Sequence, residues 1–125
     1  MPINLNKEVL EKAAYLTGDA DVAATLPTVP AKQPFAEDII DFLNDVSREI
    51  MKNRAAKIYS DVVTFGFWIR KASLLKLKER YETETKDIRM GRGVAFHIAP
   101  SNVPVNFAYS LVAGLVTGNA NVVRV

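Results

Sequence analysis

The sequence predicts an α/β fold in which helices come first and one βαβ unit follows. Residues 35–81 carry apolar side chains at helical spacing, which indicates helices with one buried face. Two short segments rich in β-branched residues, Val94–Ala99 and Asn121–Val125, flank an apolar helical stretch that begins near Pro104. A strand, a helix and a strand within about thirty residues form a βαβ unit, whose strands are parallel and whose crossover is right-handed.

Four segments differ in composition and define the expected domain organisation. Residues 1–34 are expected to form an N-terminal helix with a proline-rich connector, and residues 35–81 a helical segment. Residues 82–92 are expected to form an exposed strand or hairpin arm, and residues 93–125 the start of a truncated βαβ region. Arg124 is the only Asp, Glu, Lys or Arg in the last segment. A sheet this apolar must be covered on both faces, so we expect these residues to be an incomplete part of a larger fold.

The first segment predicts one helix followed by irregular structure. Asn4 or Asn6 supplies the N-cap, the helix continues to about Leu16, and Gly18 is a stop signal. The prolines between residues 26 and 34 then break regular structure, which is typical of a connector.

Two further helices are predicted in the second segment. The first begins near Phe35 and ends near Lys52, with acidic residues early and basic residues late, as the helix dipole favours. The second is one long helix over Ala55–Tyr81, although Gly66 weakens its middle by roughly 1 kcal/mol relative to alanine. After it, residues 82–92 alternate polar and apolar side chains, which predicts the exposed strand or hairpin arm.

Cysteine and charge limit the chemistry of these residues. There is no cysteine among the 125 residues, so disulfides, thiolate metal sites and a catalytic thiol are excluded within them. Residues 1–47 hold three basic and eight acidic side chains, whereas residues 48–92 hold twelve basic and six acidic ones. The net charge of +2 does not call for a polyanionic partner.

The location of the protein is predicted from what the sequence lacks. The N-terminus has no basic region followed by an apolar core, so no secretory signal is visible. No apolar run approaches the ~20 residues needed to span a bilayer. We therefore expect a cytoplasmic protein with no membrane span.

Basic residues near Trp68 raise the question of nucleic acid. Aromatic side chains do not interleave with these charges, so a solvated helix face is favoured and no nucleic-acid partner is expected. The basic residues are Arg70, Lys71, Lys76, Lys78 and Arg80.

His97 is the only histidine and lies in a predicted buried strand. Two interpretations are open: a hydrogen-bonded structural imidazole, which is favoured, or a general acid or base. No other histidine, no cysteine and no cluster of carboxylates stands near it in the sequence, so no metal site is predicted.

Ser101 and Asn102 follow the first predicted strand and precede a helix. Open α/β sheets bind ligands at the carboxyl ends of their strands, and helix N-termini stabilise anions. The Asn102 side chain either caps the helix or points its amide into the cleft as an oxyanion donor. Spacing alone does not decide between these roles.

Two runs resemble the aldehyde dehydrogenase superfamily. They are Gly-Val-Ala-Phe-His-Ile-Ala-Pro-Ser-Asn-Val-Pro-Val-Asn-Phe over 93–107 and Ser-Leu-Val-Ala-Gly-Leu-Val-Thr-Gly-Asn-Ala-Asn-Val-Val-Arg-Val over 110–125. That family has a strand, a P-x-N-x-P loop, a helix, a Gly-Asn turn and a strand ending in a basic residue. The His97–Pro100 and Asn119–Val123 stretches, together with Phe67–Lys71, are more specifically similar to the LuxC-type fatty acyl-CoA reductases.

The resemblance implies the fold and the activity. Residues 93–125 would be the first βαβ unit of an aldehyde-dehydrogenase-like cofactor-binding domain. The expected reaction is the reduction of a long-chain acyl thioester to an aldehyde, with NADPH as the hydride donor and NADH left open as the alternative. A cysteine beyond residue 125 would hold the acyl group, so residues 1–125 alone are expected to be inactive.

The resemblance also assigns site residues. Asn102 matches the oxyanion-hole asparagine of the superfamily, and Ala99, Pro100 and Ser101 match the segment beside the ribose and nicotinamide of the cofactor. Arg124 matches the basic residue near the adenosine ribose, where lysine is usual. An arginine makes a forked contact that lysine does not, which is compatible with a 2′-phosphate. Ser101 departs from the aromatic residue common in the oxidising enzymes.

The implied partners are an acyl-CoA or acyl-carrier thioester, an acyl-protein synthetase and further copies of the chain in a homo-oligomer. A second function class stays open beside the enzyme. It is a non-enzymatic helical interaction module that self-association or a partner completes through the open edges of an incomplete sheet.

Overall fold

The fold combines helices with one small parallel sheet, in a computed structural model that describes residues 7–84 and 86–125. Two 3₁₀ turns, Leu26–Thr28 and Ala56–Ile58, supplement the longer elements. The helices are α1 Lys7–Leu10, α2 Ala20–Thr25, α3 Glu37–Lys52, α4 Ser60–Trp68, α5 Lys71–Thr83 and α6 Asn106–Val116, and the strands are β1 Val94–Ile98 and β2 Ala120–Arg124. The mixed α/β class is confirmed, whereas the four-segment division of the chain stays a prediction.

The N-terminal region differs from the sequence prediction. Helix α1 ends at Leu10 and not near Leu16, and α2 occupies residues that were expected to be a connector. The reason is Asp19, whose carboxylate accepts a hydrogen bond from the Val22 N–H at 2.8 Å and caps α2. The Gly-Asp pair at 18–19 therefore also starts a helix. The predicted caps at positions 4 and 6 lie outside the described residues.

Helix α3 is confirmed and provides much of the helical core. Ile40 and Leu43 are buried on its inner face. Phe35, just before the helix, is also buried, and it adopts a positive φ of 56°. Its N–H donates to the Val116 carbonyl at 2.6 Å, which ties the start of α3 to the end of α6.

The prediction of one helix over 55–81 is wrong, because the chain turns at Ile69 and Arg70 between α4 and α5. The cause lies in α3: the Asn44 side chain accepts a hydrogen bond from the Lys71 N–H at 2.9 Å and satisfies an N-terminal donor of α5. The Lys71 ammonium also bonds Asp41 at 2.8 Å, and this carboxylate raises the pKa of Lys71. The turn buries Ile69 completely.

Gly66 allows α3 and α4 to approach closely. A Cβ at this position would lie 2.8 Å from Cγ2 of Ile50, so a larger residue would push the helices apart. The buried Ser47 hydroxyl donates to the Gly66 carbonyl at 2.6 Å. Gly66 therefore lowers the helix propensity of α4 but allows α4 to pack closely against α3.

The predicted strand or hairpin arm is also absent from the described part of residues 82–92. Glu82 and Thr83 continue α5, and residues 86–92 form no strand ladder. The Gly91 N–H instead donates to the Lys32 carbonyl at 3.1 Å, and the Arg92 N–H donates to the Asn119 side chain at 2.7 Å. Ile88 is 95% exposed, in agreement with the expected exposure of this segment.

The two strands pair in parallel, as predicted, with Val94 opposite Ala120 and Ile98 opposite Arg124. Helix α6 connects them and packs on one face of the sheet, with Gly114 against the strands, while its buried Val112 and Val116 belong to the helical core. The β1 side chains alternate, so Val94, Phe96 and Ile98 lie on the other face and are exposed at 45, 63 and 68%.

Three backbone segments meet at Gly118. The Lys32 N–H donates to the Gly118 carbonyl at 2.9 Å, while the Lys32 carbonyl accepts from Gly91. A Cβ on Gly118 would lie 2.0 Å from the Lys32 carbonyl oxygen, and its φ of +93° is itself unfavourable for other residues. We call this meeting of positions 32, 91 and 118 the glycine junction. It fastens the connector to the βαβ unit.

Candidate functional site

The candidate site lies at the carboxyl edge of the two-stranded sheet. Parallel strands end at the same edge, and beyond the register the Ala99 N–H donates to the Arg124 carbonyl at 3.0 Å. The structure therefore brings Ala99 and Arg124 together. Pro100, Ser101 and Asn102 continue directly from this point as an exposed loop.

Asn102 does not cap α6. The helix starts at Asn106, and its N-cap position is Val105, which has no side-chain cap. The Asn102 side chain is exposed and makes no hydrogen bond to any residue that the structure describes. The capping interpretation is wrong for this reason, and the amide is free to meet a ligand. Its role as an oxyanion donor stays a prediction.

Prolines and one turn shape the loop that carries Asn102. Pro100 and Pro104 restrict the backbone on both sides of it, which favours extended and turn conformations over helix. The Asn106 N–H donates to the Val103 carbonyl at 3.1 Å and closes a turn just before α6. Asn102 consequently lies between the end of β1 and the start of a helix, as the sequence predicted.

The charge at this edge suits an anionic ligand. Arg124 is exposed at the end of β2, and no Asp or Glu occurs after Asp87 in the sequence. No carboxylate of the βαβ unit lies near this guanidinium in the sequence. A forked guanidinium fits the phosphates of a dinucleotide, which α/β sheets hold at their carboxyl ends. The edge therefore offers a positive charge to an anionic ligand.

His97 has a structural environment. The half-buried imidazole lies on the sheet face that packs against α6, where its Nε2 is 2.9 Å from Oδ1 of Asn121. The amide nitrogen of Asn121 donates in turn to the Asn119 carbonyl at 2.8 Å. The favoured interpretation of a hydrogen-bonded structural histidine is thus confirmed.

Sequence reasoning missed the partners of His97. Asn121 bonds the imidazole and is held in turn by Asn119. Gly114 lies against this pair, since a Cβ on it would lie 1.9 Å from Oδ1 of Asn121. The sequence did contain a signal. Two polar residues lie two positions apart at the start of an apolar strand, which places them on one face or in one turn, and a glycine lies within the neighbouring helix.

Other site classes find no support in the residues that the structure covers. Across 7–84 and 86–125, no three His, Cys, Asp or Glu side chains are grouped so that they could share a metal ion. Within those same ranges, no helix is both long enough and apolar enough to cross a bilayer.

An open cleft of about 520 Å³ lies at the amino edge of the sheet, where Arg92 and Asn119 precede the two strands.

Comparison with known proteins identifies the family. No curated protein and no solved structure matches the chain. The family model described as acyl-CoA reductase (LuxC) matches residues 24–125. The match covers most of the chain, including the loop with Asn102, both strands and the glycine junction. The chain therefore belongs to the LuxC family of acyl-CoA reductases.

Proposed function

We propose that this chain is part of an NADPH-dependent reductase that converts a long-chain acyl-CoA into an aldehyde. The observation that carries the proposal is the carboxyl edge of the sheet in a member of this family. There, Asn102, whose side chain bonds no residue that the structure describes, and the exposed Arg124 lie at the ends of two adjacent strands. The arrangement provides one neutral hydrogen-bond donor and one fixed positive charge. Those are the groups that a developing oxyanion and a phosphate require.

The proposed reaction has two stages, in which a cysteine thiolate is the nucleophile. The thiolate attacks the thioester carbonyl, and the CoA thiolate leaves when the tetrahedral intermediate collapses to an enzyme-bound thioester. A hydride then reaches the acyl carbon, and the enzyme thiolate leaves to release the aldehyde. Bound NADPH supplies that hydride. The thiolate comes from residues outside these 125, because they contain no cysteine.

Asn102 acts in both stages. Each time the acyl carbonyl becomes tetrahedral, its oxygen gains negative charge, and the Asn102 amide N–H donates a hydrogen bond to it. A donor held in place before the reaction stabilises this charge without the cost of reorganising water. Backbone groups of Ala99, Pro100 and Ser101 border the cofactor ribose and nicotinamide in this proposal.

Arg124 sets the preference for NADPH in this proposal, because a guanidinium forms paired hydrogen bonds with a 2′-phosphate. Replacing it with alanine (R124A) is expected to raise the KM for NADPH about 10- to 100-fold, as expected for lost charge-assisted hydrogen bonds. The KM for NADH should change far less. Steady-state kinetics with both cofactors measure this difference, and R124K separates the loss of charge from the loss of the fork. Equal effects on NADPH and NADH would contradict the assignment.

The test of the activity uses the complete protein that contains this chain. Incubation with a long-chain acyl-CoA and NADPH is expected to yield aldehyde and free CoA in amounts equal to the NADPH oxidised. Residues 1–125 expressed alone are expected to give no oxidation, since they lack the thiol. Activity of residues 1–125 alone, or a complete protein that releases no aldehyde, would contradict the proposal.

Location and partners follow as further parts of the proposal. We place the reductase in the cytoplasm as a homo-oligomer that receives its acyl group from CoA or from an acyl-protein synthetase.

The non-enzymatic interaction module remains the second candidate, and the exposed face of Val94, Phe96 and Ile98 is the observation that favours it. A complete protein that self-associates through this face but reduces no acyl-CoA would support the module instead.

A further inference from the structure

Two asparagines tie β1 to β2 near both ends of the strand. Just before β1, the Arg92 N–H donates to Oδ1 of Asn119 at 2.7 Å. Near the end of β1, His97 bonds Oδ1 of Asn121 at 2.9 Å. The Asn121 amide nitrogen also bonds the Asn119 carbonyl, so the two contacts form one connected network.

The network fixes where the proton of His97 lies. The Asn121 nitrogen must face the Asn119 carbonyl, because the opposite orientation would set two acceptor oxygens against each other. Oδ1 of Asn121 then faces the imidazole and accepts a hydrogen bond, so His97 carries a hydrogen on Nε2. Both the neutral Nε2–H form and the doubly protonated ring satisfy this contact.

Helix α6 holds the pair in place. Gly114 of α6 lies over it so closely that a Cβ would be 1.9 Å from Oδ1 of Asn121 and 2.9 Å from Nε2 of His97. Neither side chain has room to move toward the helix. The contact between His97 and Asn121 therefore adds a side-chain tie to the backbone ladder between β1 and β2, two residues before Ala99.

We propose that His97 is a positioning residue for the carboxyl-edge site. Through Asn121 it sets the end of β1 against the end of β2, and so fixes the Asn102 loop relative to Arg124. The inference rests on the proposed reductase function. A misplacement of about 1 Å at a reacting centre lowers a rate by up to about 10²-fold, so a loosened strand end should affect turnover more than binding.

The test compares two amide replacements of His97 in the complete enzyme. In H97Q, the amide nitrogen reaches the place of Nε2, whereas in H97N it stops about one bond short and leaves Asn121 unpaired. H97N is expected to lose at least about 10-fold in kcat while its Kd for NADPH stays within about threefold of the wild-type value. H97Q should keep kcat within about threefold.

Asn121 provides a second route to the same contact. N121A removes the acceptor without crowding Gly114, and it should lower kcat as H97N does. The double variant H97N/N121A should lose no more than N121A alone, because N121A already removes the contact with His97. Losses that add in the double variant would overturn the inference. Wild-type kcat in N121A would also overturn it, and that measurement stands even where H97N fails to fold.

A variant in the helical core controls for loss of stability. S47A removes the buried hydrogen bond to Gly66, away from the sheet, and should lower the melting temperature without a comparable loss of kcat. Equal kcat losses in S47A and H97N, or equal losses in H97Q and H97N, would overturn the positioning role. N102A separates the positioning role of His97 from the proposed function. If turnover is impaired in N102A and not in H97N, only the positioning role fails. Normal turnover in N102A would remove the proposed role of Asn102 itself.

Discussion

Replacing Asn102 with alanine in the complete enzyme is expected to lower kcat by about 10²- to 10³-fold, the usual loss for one oxyanion-hole donor. The affinity for NADPH should change little, because the amide is proposed to act on the acyl carbonyl and not on the cofactor. Stability should also change little, since the exposed side chain holds no other described residue by a hydrogen bond. Steady-state kinetics, cofactor titration and thermal unfolding measure the three quantities.

The matched control for this prediction is N102D. Aspartate caps helices about as well as asparagine, but its carboxylate has no N–H to donate and repels an oxyanion. A residue needed only for local structure would tolerate aspartate. We therefore expect N102D to be at least as impaired as N102A, and near-normal turnover in N102D would contradict the oxyanion role.

Replacing Gly118 with alanine is expected to destabilise the protein by about 3 kcal/mol or more. Two costs combine at this position: the φ of +93° strains any residue with a side chain, and the new Cβ would lie 2.0 Å from the Lys32 carbonyl oxygen. The backbone must move to relieve this overlap, which breaks the hydrogen bonds of the glycine junction. Chemical or thermal unfolding of the protein measures the loss.

Two other glycines separate these costs. Gly18 has a φ of +74° with open space around it, so G18A carries the conformational strain alone, about 1–2 kcal/mol. Gly91 lacks a positive φ, but its Cβ would lie 2.0 Å from the Gly118 carbonyl oxygen, so G91A carries the steric overlap alone. A G118A variant no less stable than G18A would show that the junction is not tightly packed.

The elements that sequence reasoning predicted correctly are those whose signals are local. The apolar spacing from Phe35 through Leu43 to Ile50 is enough to define α3, and the β-branched segments around Val94 and Val122 define both strands. The turn between α4 and α5 has no local signal. It depends on Asn44, which lies 27 residues before the Lys71 N–H that it caps.

The candidate site likewise has one part that the sequence predicts and one part that it does not. A motif that follows a strand places Asn102 at the carboxyl edge by topology alone, and the structure agrees on that position. The contact between His97 and Asn121 joins residues 24 apart and depends on how closely α6 approaches the sheet. Periodicity gives the face of each side chain but not that distance, so the network does not follow from the sequence pattern.

The glycine junction consists of backbone bonds, and this determines which substitutions each position tolerates. Position 32 contributes its N–H and its carbonyl, so most side chains should be accepted there, but proline would remove the donor. The connector has prolines at 27, 30 and 34, and none at 32. Positions 91 and 118 have no room for a Cβ. Sequence variation in this family should therefore be wide at position 32 and almost absent at its two glycine partners.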